Sequence, residues 1–133
     1  MCDGAEAYSD PQVQTIATQI SAADGLLVAT PVYNYDVNAA AKNLLELTGS
    51  SWAGKVVGFL CAAGGQSSYM SVMPFANSLM LDFRCFILPR FVYAPDAEAA
   101  DHDFGEAAIG KRIDELAREL IRVATALNSA TAN

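Results

Sequence analysis

Leu26-Leu27-Val28-Ala29-Thr30-Pro31-Val32-Tyr33-Asn34-Tyr35 is the stretch on which the fold of this chain turns. Its first five residues form a nearly continuous apolar run, the pattern of a strand covered on both faces, as in parallel sheets. At Pro31 the composition changes to proline, aromatic and amide residues, which predicts that the strand gives way to a loop. Two further runs of the same kind follow, over residues 56–62 and 86–93. Pro89 inside the second run marks an edge position or a bulge, because proline donates no ladder hydrogen bond.

Helical periodicity fills the intervals between these runs. Val13, Ile16, Ala17 and Ile20 predict a helix over residues 11–23, with Asp10 as its cap and Pro11 in its first turn. Asp24-Gly25 ends it just before the first strand. A second helix is expected over residues 37–48, stopped by Gly49, and a third over residues 69–82, where Pro74 kinks the helix or delays its start. A polar, acidic loop is expected over residues 94–103. Beyond it Ile109, Ile113, Leu116, Leu120, Val123 and Leu127 mark a long amphipathic helix. Strict alternation of helix and strand defines an α/β fold: an open parallel sheet with right-handed crossovers and helices on both faces.

Bulk properties narrow the function. The chain has 133 residues, 53% hydrophobic and 17% charged, which suits one soluble, well-packed domain. A formal charge of -7 disfavours nucleic-acid partners and anionic membrane surfaces. No run reaches the roughly 18 apolar residues of a membrane span, and Met1-Cys2-Asp3-Gly4 has no secretory character. Cys2, Cys61 and Cys85 show no metal-type spacing and suit a reducing compartment, so a cytoplasmic location is expected. No Ser/His/Asp set or nucleophile elbow is present, which argues against a hydrolase.

Ligands of open α/β sheets bind beyond the carboxyl ends of the strands. Two loops are expected there, residues 30–35 and residues 63–67. An isoalloxazine ring needs an aromatic or backbone surface beneath it and hydrogen bonds at its polar edges. Tyr33 and Asn34 offer a ring face and an amide, while Gly64 and Gly65 allow close backbone approach. The plainer alternatives are loop tyrosines that cover the core and an ordinary strand-to-helix turn.

Thr30-Pro31-Val32-Tyr33-Asn34, followed by a helix carrying Lys42-Asn43, resembles the T-P-x-Y-N loop and K-N helix of NADPH-dependent FMN reductases. Trp52-Ala53-Gly54-Lys55, the next strand and Gly64-Gly65 are similar to the continuation of that pattern. The resemblance covers nearly the whole chain and implies a flavodoxin-like fold, FMN and NADPH as cofactors, and hydride transfer through flavin N5 to a small-molecule electron acceptor. It places Pro31, Val32, Tyr33, Asn34, Gly64, Gly65 and Gln66 against the cofactor, requires no catalytic acid or base, and implies a homodimer or homotetramer.

Three departures accompany it, one of them Pro74, which is unexpected in its helix. Members of that family begin with a strand and a phosphate-holding loop that do not precede the helix at Pro11, so only the last three strands are expected. The strand at residues 26–30 then presents an open edge, which invites association. Val32 stands where an acidic residue is common. The alternative reading is therefore a non-catalytic, truncated flavodoxin-like module that associates through that edge. Elsewhere, structural roles are expected: Lys42 as a helix-face charge, Asn43 and Asn77 as satisfied buried amides, and Cys61 and Cys85 as core thiols. His102 is expected to be solvated and Arg90 to form a surface ion pair. Met70, Met73, Phe75, Met80 and Phe83 are expected in the core, with a dimer interface as the second reading.

Overall fold

The computed structural model describes residues 5–95 and 106–131. Cys2, His102 and most of the acidic 94–103 segment lie outside the described residues. Helix α1 spans Pro11–Ala22 and is capped by Asp10, whose carboxylate accepts from the N–H of Gln12 at 2.7 Å. Strand β1 spans Gly25–Tyr33 and β2 Asp36–Val37; α2 spans Ala39–Thr48 and β3 Val56–Ala63. Helix α3 covers Met73–Phe83, followed by β4 at Phe86–Ile87, β5 at Val92–Pro95 and α4 at Glu106–Thr131. The sheet runs β2-β1-β3-β4, and β5 continues the line of β4 along β3. All pairings except β1 with β2 are parallel.

The strand expected to end at Thr30 continues through Pro31 and Val32 to Tyr33, with Pro31 opposite Ala62. The expected loop is instead a tight hairpin. Asn34 and Tyr35 have φ of 50° and 62°, the left-handed pair required by a two-residue type I′ turn. Residues flanking such a turn exchange hydrogen bonds, so the backbone of Tyr33 faces β2 and, two residues earlier, that of Pro31 faces the same outer side. Pro31 therefore removes no bond to β3, and the strand passes through it. Val37 consequently belongs to β2, and α2 begins later, with the Asn38 side chain accepting from the N–H of Ala41 at 2.9 Å.

Pro74 sets the start of α3. The helix begins at Met73, which places the proline in the first turn where its missing donor costs nothing, and the expected 69–72 portion is turn. The third expected strand is split into β4 and β5 by Leu88-Pro89-Arg90-Phe91, with Arg90 at φ 61°. The proline signalled an interruption, and the structure shows one.

Alternation along β3 divides the core. Val57, Phe59, Cys61 and Ala63 face α1, α2 and α3, where Leu45, Trp52, Phe75 and Leu79 complete the larger cluster. Val56 and Leu60 face α4 and pack with Leu116, Leu120 and Ala124. Gly58 is small because a Cβ there would lie 2.9 Å from Leu27 and 3.2 Å from Leu116. Trp52 is anchored by donating from Nε1 to Thr48 Oγ1 at 2.7 Å, and Thr48 in turn donates to the Leu44 carbonyl.

Phe75 is buried, and Met73 and Phe83 pack against the core, whereas Met70 and Met80 stay exposed. Asn77, expected to be buried, is exposed, because Phe75, Ala76 and Leu79 take the inner face of α3. Along residues 25–31 the outer edge of β1 has no partner strand among the described residues. Leu27 is 38% exposed there, although its sequence reads as that of a covered strand.

Candidate functional site

The carboxyl ends of β1 and β3 and the β1–β2 hairpin enclose a cleft of about 510 Å³ lined by Pro31, Val32, Tyr33, Asn34, Ala62, Ala63 and Gly64. Its size falls within the roughly 300–1,000 Å³ of ordinary small-molecule pockets. The two stretches singled out in the sequence are thus brought together. Tyr33 and Tyr35 are 54% and 67% exposed, so they do not cover the core. Val32, at 8%, points into the core beside Val37 and offers the cleft its backbone rather than its side chain. A carboxylate placed at this position would be desolvated among its apolar neighbours.

Gly64 is exposed, and a Cβ added there would meet nothing within 4 Å; the same holds at Gly65. Neither backbone lies in the left-handed region, and Gly65 is fully extended at φ -179°. Nothing among the described residues demands glycine at either place, and the space beside both is open. Gly65 and the exposed Gln66 stand next along the chain from the cleft lining, with Gln66 opening a single 3-10 turn through Ser68.

Tyr93, on β5, was not singled out in the sequence. Its buried ring carries a hydroxyl that donates to the Gly65 carbonyl and lies 3.0 Å from Ser68 Oγ. Tyr69 stacks on Phe91 with centroids 4.7 Å apart and meets the Tyr93 ring edge-on at 5.5 Å. The available signal was parity: Tyr93 stands opposite Cys61, and so shares the face of Cys61 and Ala63 that leads to the glycine loop.

Apart from the Tyr33 phenol, no ionisable side chain among the described residues lines the cleft. Burial pushes the Cys61 thiol up to about 11 and raises that of Cys85 as well, the latter partly offset by Lys55. Both cysteines are protonated core residues, and Cys85 donates to the Trp52 carbonyl at 3.1 Å. Lys42 pairs with Glu46 at 3.7 Å along α2, as a helix-face charge. Asn43 differs from expectation: it is half-buried beside the α1–α2 groove, and its side chain makes no hydrogen bond among the described residues. Arg90 is exposed and has no ion pair among the described residues, because Glu119 on the facing helix is taken by Arg122.

Fold and cleft together define a flavodoxin-like open α/β domain with a cleft at its strand ends. Residues 1–99 match the model of the NADPH-dependent FMN reductase family, and the chain belongs to that family. It is 27% identical over 131 residues to an NAD(P)H-dependent FAD/FMN reductase of Geobacillus thermodenitrificans, covering 96% of this chain and 71% of that protein. It is 33% identical over 97 residues to an FMN reductase (NADPH) of Escherichia coli, covering 71% of this chain and 50% of the relative. Among solved structures, an oxidoreductase from Corynebacterium diphtheriae superposes with a TM-score of 0.72 at 25% identity, over 87% of this chain and 63% of that one. The fold is also that of general stress protein 14 of Treponema denticola, solved with FMN, at a TM-score of 0.53 and 17% identity over 86% of this chain and 72% of that one. The chain spans between 50% and 72% of the length of these relatives. No helix among the described residues is long and apolar enough to cross a membrane.

Proposed function

We propose that this chain carries the ring-binding part of an FMN-dependent NAD(P)H oxidoreductase that reduces a small electron acceptor. The observation that carries the reading is the cleft between the tyrosine hairpin and the glycine loop, open at Gly64 where a side chain would fill it. Tyr33 presents an aromatic surface to a flat ring, and Asn34 an amide to its polar edge. The backbone at Val32 and Gly64 lies at the cleft wall, where its polar groups can meet that edge.

When bound, flavin supplies the redox chemistry, accepting a hydride at N5 from NAD(P)H and passing electrons on. The protein's task is to orient the ring and keep competing groups away. A cleft whose described lining holds no carboxylate, imidazole, amine or thiol side chain suits that task, because no acid or base is needed to move a proton. The names of the relatives support FMN and NAD(P)H as the ligand pair. A cytoplasmic location and a homodimer or homotetramer belong to the same proposal.

FMN fluorescence titration tests this directly. Saturable quenching by the wild-type chain that Tyr33→Ala and Gly64→Trp each weaken at least tenfold supports the reading. Absence of quenching by the wild-type chain, or quenching indifferent to both substitutions, overturns it. The open outer edge of β1 favours a second reading, a non-catalytic module that associates through that edge. A colourless chain that oligomerises and never binds FMN identifies that case.

A further inference from the structure

The glycine loop has no side chain of its own at residues 64 and 65 with which to hold a position. What fixes it comes from the next strand. Tyr93 is buried at 6% exposure, and its hydroxyl donates to the carbonyl of Gly65 while lying 3.0 Å from Ser68 Oγ. The two contacts span the start and the end of the 3-10 turn over Gln66–Ser68. The Tyr69 ring closes edge-on against Tyr93 at 5.5 Å and holds the phenol in place.

A trans peptide points its C=O and the following N–H in opposite directions. Drawing the Gly65 carbonyl toward Tyr93, on β5, therefore turns the N–H of Gln66 away from β5. Strands β1 and β5 flank β3 on opposite sides, and the cleft lies between the ends of β1 and β3. We infer that Tyr93 is a positioning residue of the cleft: it clamps the glycine loop through the Gly65 carbonyl and aims the Gln66 N–H at an acceptor atom on the edge of the bound ring. The ligand side of this inference rests on the flavin reading above; the clamp itself does not.

Tyr93→Phe keeps the ring and removes only the hydroxyl. Amide hydrogen exchange of residues 64–71 in the flavin-free chain reads the clamp, and FMN titration with the flavin absorption spectrum reads its use. The variant is expected to exchange about tenfold faster in that segment, to bind FMN roughly 5- to 10-fold more weakly, the scale of one hydrogen bond, and to shift the flavin absorption maximum. Ser68→Ala, which removes the lesser contact, gives a smaller change in the same direction. Thr48→Val loosens the Trp52 anchor elsewhere and leaves exchange in residues 64–71 at the wild-type rate, separating a local clamp from general destabilisation. Unchanged exchange in Tyr93→Phe overturns the clamp whether or not flavin binds. Faster exchange with unaltered FMN affinity and spectrum overturns the positioning role. A wild-type chain that never quenches FMN overturns the flavin reading instead, and the clamp is then decided by exchange alone.

Discussion

Replacing Gly64 by alanine should separate stability from binding. A Cβ at this position meets nothing within 4 Å, and the backbone does not lie in the left-handed region. Alanine thus fits the native conformation, and its main effect falls on the unfolded chain, which has fewer states to lose. That stabilises a protein by about 0.4–1 kcal/mol, or roughly 1–4 °C in Tm for a domain of this size. Gly54 supplies the contrast. Its Cβ space is equally empty, but its φ of +70° is left-handed, which costs an alanine about 1–2 kcal/mol. Net of the same unfolded-state gain, Gly54→Ala should lose about 1 kcal/mol. Urea unfolding followed by the fluorescence of Trp52, the only tryptophan in the chain, measures both. FMN titration should then show Gly64→Ala weakened and Gly54→Ala at the wild-type affinity. Equal destabilisation by the two substitutions would refute the claim that backbone conformation, rather than packing, distinguishes these glycines.

Thr48→Val leaves the buried indole N–H of Trp52 without its acceptor and should cost about 1–3 kcal/mol, seen as a lower urea midpoint. The buried Cys61 thiol, pushed from 9.0 to about 11, keeps a proton that the unfolded chain releases sooner. Its contribution is therefore complete below pH 9 and is lost toward pH 11, at up to about 1.4 kcal/mol per unit. Cys61→Ala should flatten that part of the pH–stability curve. Ala29→Lys places a charge on the open outer side of β1, and sedimentation should show less concentration-dependent association than in the wild-type chain.

What the sequence made legible followed from periodicity. The apolar runs at residues 26–30 and 56–62 became neighbouring parallel strands, and Asp10-Pro11 and Gly49 bound their helices as expected. The hairpin was not legible, because a type I′ turn announces itself through glycine or Asn-Gly, and here Tyr35 occupies a left-handed position that tyrosine seldom takes. Pro31 misled for a related reason: its missing donor ends a strand only when it faces a partner, and which edge it faces depends on β2. At the site, loop composition together with the family resemblance picked out Tyr33, Asn34 and Gly64, and the structure brings these three to one cleft. Tyr93 escaped because its role lies in the reach of its hydroxyl to the Gly65 carbonyl, a contact between β5 and the glycine loop that the face it occupies does not by itself announce. Asn77 and Asn43 were misplaced because helical spacing identifies an apolar face but not how far neighbouring elements cover its flanks.

The interruption between β4 and β5 has a further consequence, in the arithmetic of odd and even. Phe86 and Ile87 stand opposite Val56 and Val57, and Val92 stands opposite Leu60. Four residues on the interrupted strand, 88–91, thus cover the span that Gly58 and Phe59 cover on β3. The excess is two, so side chains beyond the break keep the faces they would have had without it. Chain length can vary here in steps of two without disturbing either layer. A change of one would turn Val92 and Tyr93 over together, putting the valine among the α3-side residues and carrying the phenol to the α4 side, away from the glycine loop. This four-residue bend is thus a place where a single insertion or deletion would withdraw the Tyr93 hydroxyl from the Gly65 carbonyl while leaving every residue that lines the cleft untouched.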